Sequence, residues 1–236
     1  MTAKDLELKP IQARRANDLV KKLHYSGKVV RNSQLHIGVF YRGSLEGAMQ
    51  FGPPLDKRKM LGLVRGTPWN GMTELNRMAF SERLPRNSES RALAVAFRIL
   101  RSHVPELKWV VSFADGTQCG DGTIYRAAGF ILTAIKRNLN GARLPDGSTI
   151  HKMTLESNPT NPRPELGGQT YYDVTGGRFQ WPVYLKAARA EVIPGYQLRY
   201  VKFTDPSWRD RLTVPELPYS AIDEADARMY RGRKPN

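Results

Sequence analysis

Asp115 ends a short apolar run, Lys108-Trp-Val-Val-Ser-Phe-Ala114, and is followed by Gly116-Thr-Gln-Cys-Gly-Asp-Gly122. Such a run reads as a strand buried in a sheet, which puts the carboxylate at a strand's carboxyl end, where open α/β sheets bind ligands. There it is either a proton carrier or a cap on the N–H groups of its own turn. Tyr125, in Ile124-Tyr-Arg-Ala-Ala-Gly-Phe130, is either a core tyrosine one turn before Gly129 or a phenol that protonates a leaving group or orients an amine. His24 and Tyr25 close a helical stretch; the imidazole can answer the helix dipole, and spacing alone does not make His24, Tyr25 and the distant Asp115 a metal set. Strand alternation places Arg77 on the face opposite Asn76 and Met78, where a buried guanidinium requires an anion, either a carboxylate or a donor phosphate. Ser90 stands where it can cap an apolar helix. His36, His103 and His151 have no partner pattern and read as packing or surface residues. Trp69, Trp181 and Trp208 are either core residues or side chains that wedge into or stack on bases.

The elements that must position these groups follow from periodicity and punctuation. Pro10 suits the first turn of a helix whose apolar stripe is Ile11, Ala16, Leu19, Val20 and Leu23, ending near Gly27. Gln34 to Tyr41 and Leu45 to Phe51 read as a hairpin around Arg42-Gly43-Ser44. A basic insertion runs to Gly71, and Thr73 to Phe80 alternates as a strand. Arg91 to Arg101 is a helix apolar on most of its circumference, to be covered on several sides and stopped by Pro105. After the strand to Ala114 come a short helix from Thr123 to Ala128, a strand from Ile131 to Lys136, and a hairpin at Leu144-Pro-Asp-Gly147 returning as a strand from Ser148 to Leu155. The order gives an α/β fold, a mixed sheet with helices on both faces. The first domain is residues 1–155. Residues 156–236 hold half of the 22 aromatics and many prolines, so they read as an irregular extension wrapped on that domain, regular only at Gln197 to Phe203 and Asp223 to Arg231.

The chain has 236 residues, 37 Lys and Arg against 22 Asp and Glu, and a formal charge of +15. Residues 1–155 carry 25 basic and 12 acidic side chains, so +13 of that surplus lies there. A neutral metabolite does not call for it; a polyanion does. No stretch is apolar enough for a membrane span and no secretory signal is evident, so the expectation is a cytoplasmic protein with no membrane partner. The single cysteine, Cys119, excludes an internal disulfide and a multi-cysteine zinc site and reads as a small filler in its turn.

Several segments add a family likeness. Glu74-Leu-Asn-Arg-Met-Ala-Phe-Ser81 with Asn87-Ser-Glu-Ser-Arg-Ala-Leu-Ala-Val-Ala96, and Ser112-Phe-Ala-Asp115 with Ile124-Tyr-Arg-Ala-Ala-Gly-Phe130, are similar to parts of the GNAT acyltransferase fold. Together with His24-Tyr25-Ser-Gly and Phe113-Ala-Asp-Gly-Thr-Gln-Cys-Gly-Asp-Gly, they make the chain resemble the phage Mom DNA-modification proteins over most of residues 1–155. The resemblance implies conversion of adenine in double-stranded DNA to N6-carbamoylmethyladenine, which shields phage DNA from host restriction, in the cytoplasm of a bacterial host. It implies iron (Fe2+) on His24, Tyr25 and Asp115. It also implies a reaction site with Arg77, Ser90, Tyr125 and Asp115, and a donor site with Arg77, Asn87, Ser88, Ser90 and Arg91. The loop Arg83-Leu-Pro-Arg-Asn-Ser-Glu-Ser90 lacks the Gly-x-Gly that cradles a coenzyme A pyrophosphate, so acetyl-CoA and glycyl-tRNA both stand as donors. The partners are double-stranded DNA and, with the second donor, tRNA; a homodimer is compatible. The alternative is an N-acetyltransferase of a protein or small amine using acetyl-CoA.

Overall fold

The computed structural model describes residues 5–115 and 121–227. Cys119 and the end of the expected helix at Asp223 to Arg231 lie outside the described residues. The fold is a mixed α/β sheet of eight strands, in the spatial order β1 (Leu6–Pro10), β2 (Leu35–Tyr41), β3 (Ser44–Gly52), β4 (Met72–Phe80), β5 (Trp109–Asp115), β8 (Glu191–Phe203), β6 (Ile131–Arg143) and β7 (Thr149–His151). The described residues divide into two compact units: those within 5–114, Gly122–Ala134 and Leu198–Ala221 form the first, and Asp115, Asp121, Ile135–Gln197 and 222–227 form the second.

In the first unit the chain opens with a strand, β1 (Leu6–Pro10), not with a helix. Pro10 pairs with Ile37 at the last position of this edge strand, a place where a missing N–H is tolerated. Helix α1 is Ala13–Leu23, with Ala16 and Val20 fully buried, and it packs on β2, β3 and β4. β2 (Leu35–Tyr41) and β3 (Ser44–Gly52) form the expected hairpin. Its turn residues Arg42 and Gly43 have φ of 52° and 79°, the two positive values of a tight type I′ turn. The basic insertion holds a short helix, α2 (Lys57–Leu61), and pins Leu63 and Val64 into a core with Met72, Trp109, Val111 and Val201.

β4 (Met72–Phe80) is followed by α3 (Ser88–His103), whose buried residues Ala92, Leu93, Ala96, Phe97 and Leu100 form one stripe. Arg91, Ala94 and Arg98 are exposed, so this helix is covered along that stripe and not on several sides as its composition suggested. β5 is Trp109–Asp115 and α4 is Thr123–Ala127. Trp109, Val110, Val111 and Ser112 are all buried, as in a strand covered on both faces.

β6 (Ile131–Arg143) is twice as long as expected, and its return strand β7 is only Thr149–His151. The chain then turns into helix α5 (Lys152–Glu156), because His151 caps it by accepting the Met153 N–H on Nδ1 at 3.2 Å. The second unit has its own core: Ala142, Leu144, Leu155, Leu166, Tyr171, Trp181, Tyr184 and Ala188. Tyr171 and Trp181 lie in two short helices, α6 (Tyr171–Thr175) and α7 (Trp181–Ala187). The segment read as irregular also supplies the strand β8 (Glu191–Phe203), which stands between β5 and β6. Its prolines mislead because several of them start helical turns: Pro164, Pro182 and Pro206 each occupy a first or second helical position. α8 (Ala221–Glu224) ends the described elements.

Candidate functional site

Parallel β4 and β5 stay paired only over Met72↔Trp109, Thr73↔Val110 and Glu74↔Val111, although both strands continue. Beyond that register Ser112 takes over: its Oγ lies 3.2 Å from the Leu75 carbonyl and 2.9 Å from the Tyr125 hydroxyl. A serine hydroxyl has one proton, so when Ser112 donates to the carbonyl the phenol donates to Ser112. Tyr125 is thereby fixed where the strands part, with its ring 5.1 Å from those of Phe130 and Tyr200. Gly122, which opens α4, has φ of +75°, and a Cβ there would come within 2.6 Å of the Tyr200 ring. Only glycine allows both that turn and that approach.

A β-bulge gathers the second group. The β3–β4 register pairs Gln50 with Arg77 but Phe51 with Leu75, leaving Asn76 as the extra residue. Strict alternation, which separates Arg77 from Asn76, therefore fails here: both act on the Glu74 carboxyl, Asn76 by a hydrogen bond and Arg77 by its charge. Burial outweighs both and pushes Glu74 up to about 7. The Arg77 guanidinium, itself pulled down by burial, donates from Nε to the Lys28 carbonyl at 3.1 Å and from Nη1 to the Asn76 carbonyl at 2.7 Å. His24 is driven down to about 4, first by burial and then by the charge of Arg77. Its Nδ1 accepts the Ser26 N–H at 3.1 Å, and its ring lies 4.2 Å from that of Tyr25, which is half exposed. The result is a neutral imidazole, a fixed cation and a carboxyl poised to exchange a proton near neutral pH.

A third group lies at the carboxyl end of β4. A cleft of about 390 Å³ is lined by residues of the β4–α3 loop, the first turn of α3 and α4, among them Glu82, Arg86, Asn87, Glu89, Ser90 and Thr123. Asn87 begins α3 in the left-handed region, with φ of 68° and no side-chain cap on the helix N–H groups. Ser90 lies inside α3 and donates from Oγ to the Asn87 carbonyl at 3.2 Å, so it is not the helix cap its sequence position suggested; Asn87 holds the cap position. Of the other expected donor-site residues, Ser88 is buried and donates to the Pro85 carbonyl, Arg91 is exposed outside the lining, and Arg77 stands with His24.

Asp115 is the last residue of β5, with Asn138 Nδ2 at 3.5 Å from its Oδ1. Trp181 is core, its N–H donated to the Leu139 carbonyl, and Trp208 is half-buried with Arg211 over its ring, whereas Trp69 is exposed. Glu74 is a site residue that sequence reasoning misses: the bulge that turns Asn76 and Arg77 to its carboxyl leaves no mark in periodicity.

A model of the Mom protein family matches residues 5–221. The methylcarbamoylase Mom of Escherichia phage Mu is 35% identical over 221 residues, covering 90% of this chain and 81% of that protein. This chain belongs to the Mom family. Among solved structures, a Bacillus subtilis acetyltransferase in complex with CoA is similar at 11% identity, covering 84% of this chain and 97% of the other, with a TM-score of 0.44. A GNAT family acetyltransferase from Elizabethkingia anophelis with acetyl-CoA bound is similar at 13% identity, covering 84% and 98%, with a TM-score of 0.39. No described helix is long and apolar enough to cross a membrane.

His24 Nδ1 also stands 2.8 Å from Ser26 Oγ, and a proton on Nδ1 donated there would leave Nε2 as the nitrogen to hold the iron that the resemblance implies, with Tyr25 beside it. The Arg77 cation acts on the same ring. Among the described residues no three His, Cys, Asp or Glu side chains are grouped to hold a metal ion.

Proposed function

We propose that this chain is a transferase that converts adenine in double-stranded DNA to its N6-carbamoylmethyl derivative. The observation that carries the reading is the division of labour along β4 in a Mom-family chain: a half-buried Glu74–Arg77 proton and charge site near one end, and at the other a cleft where Arg86, Asn87 and Ser90 stand with Glu82 and Glu89. A relative named as a methylcarbamoylase, similar over 90% of the chain, supports it. The +13 surplus in residues 1–155 supports a duplex substrate independently.

The adenine leaves the stack to react, at a cost on the order of a few kcal/mol offset by backbone contacts. Its amine is acylated by a donor seated in the cleft, beside Arg86, Asn87, Ser90 and the first turn of α3. Arg77 stabilises charge on the donor carbonyl oxygen. Glu74, near neutrality, takes the proton released by the amine, and Tyr125 serves as a further proton carrier.

Acetyl transfer alone leaves out the terminal amide nitrogen, so the donor that balances is a glycyl ester such as glycyl-tRNA. The N6 amine displaces the ester alcohol to give a glycyl amide. The glycyl amine then attacks C6 through a five-membered ring, and the original N6 departs as the new terminal amide. No oxidant or reductant is consumed, and protection from restriction follows from the altered base. Incubating the chain with a donor and a duplex labelled with nitrogen-15 at adenine N6 tests product and route together. Label in the terminal amide is expected; label retained on the purine ring refutes the rearrangement, and no carbamoylmethyl product refutes the function.

A further inference from the structure

We propose that the β3–β4 connection is a base-stacking wedge with Trp69 at its tip, inserted by an electrostatic frame into the duplex that the preceding reading makes the substrate. Of the four tryptophans, Trp109 is fully buried, Trp181 nearly so and Trp208 half-buried, whereas Trp69 is 56% exposed and Leu55, in the same connection, 85% exposed. Two large apolar side chains on one connection carry a hydration cost that a partner removes. The surrounding charge names the partner. Lys57, Arg58, Lys59 and Arg65 lie in this connection, and its one acid, Asp56, is used to cap the Lys59 N–H at 3.1 Å. The Lys57 ammonium rests 4.6 Å from the centre of the Trp69 ring, so a phosphate that draws it away opens an aromatic face to a base.

The connection is tied by hydrogen bonds on both sides of Trp69. Trp109 donates from Nε1 to Thr67 Oγ1 at 3.0 Å, and Thr67 donates to the Val64 carbonyl at 2.6 Å. Gly71 N–H bonds the Pro68 carbonyl at 2.8 Å, closing a turn that holds the ring out, and Arg65 N–H bonds the Arg211 carbonyl at 2.8 Å. Its position suits the acceptor side. The connection leaves β3 at Gly52 and enters β4 at Met72, and Gly52 pairs directly with Glu74. The wedge thus springs from the Glu74 end of β4, whereas Phe80, at the other end, lines the cleft.

Fluorescence anisotropy with a fluorescein-labelled mixed-sequence duplex, measured over a salt series with the full chain, tests this. Trp69→Ala is expected to weaken binding on the order of tenfold with the salt slope unchanged, because stacking releases no counterions. Trp69→Phe is expected to keep most of the affinity. Replacing Lys57, Arg58 and Lys59 by Gln is expected to flatten the slope by roughly 0.9 for each phosphate no longer neutralised. Parental affinity in Trp69→Ala, or a weakening matched by a flatter slope, overturns the wedge and leaves the DNA reading standing. A parent chain with no salt-dependent affinity for the duplex overturns both.

Discussion

The two shifted groups beside Arg77 titrate in opposition, which gives a quantitative handle on the site. His24 goes from 6.5 to about 4 on folding, and Glu74 from 4.5 to about 7. At about 1.4 kcal/mol per tenfold change in proton affinity, each full shift corresponds to about 3 kcal/mol. For His24, the unfolded chain binds the proton that the native site resists, so its contribution makes stability rise with pH between about 4 and 6.5. For Glu74, the native site holds a proton that the unfolded chain has released, so its contribution makes stability fall with pH between 4.5 and about 7. In the parent the two slopes nearly cancel where the windows overlap. His24→Asn, whose Oδ1 can still accept the Ser26 N–H, removes the first slope and should gain on the parent by up to about 3 kcal/mol as pH falls from 7 to 4. Glu74→Gln removes the second and should gain on the parent by a similar amount as pH rises over the same range. Urea unfolding followed by tryptophan fluorescence at a series of pH values measures both differences. Variant and parent curves that run parallel across this range would refute the burial of the two groups and the proton role built on Glu74.

Three further outcomes follow from individual contacts. Tyr125→Phe keeps the packing against Phe130 and Tyr200 but loses the hydroxyl beside Ser112, so it should cost about 1 kcal/mol of stability and roughly 10²–10⁴ in rate, read from denaturant melts and product formation. Gly122→Ala combines an unfavourable φ with overlap on Tyr200 and should destabilise by about 1–3 kcal/mol, measured by urea midpoints. Arg77→Lys retains a cation but not the fork that reaches the Lys28 and Asn76 carbonyls. It should lower kcat more than it raises the KM for DNA, measured by steady-state kinetics.

The legible parts of the fold are those where local chemistry and tertiary structure agree. The β2–β3 hairpin declares itself through Arg42-Gly43, and β4, α3 and β5 through clean periods bounded by Ser81 to Ser88 and by Pro105. The failures have particular causes. β1 is short and alternates leucine with charge beside Pro10, so its strand character comes from pairing with β2. α5 replaces the end of a strand because the His151 imidazole caps Met153, an interaction that depends on the turn before it. β8 contains Pro194, yet it lies inside the sheet, and the helix-starting prolines around it make the whole segment look irregular. At the site, Asn87 and Ser90 are visible as a helix start, and His24 and Arg77 through a family likeness. Glu74 stays hidden because one extra residue at Asn76 changes which side chains share its surroundings.

The most direct measurement is mass spectrometry of nucleosides digested from the DNA of cells that make either the parent chain or Arg77→Gln at matched levels. The parent should yield a deoxyadenosine enlarged by two carbons and one nitrogen at N6, and the variant little or none. DNA that carries only unmodified or N6-acetylated deoxyadenosine, or equal modification by both proteins, would contradict the account.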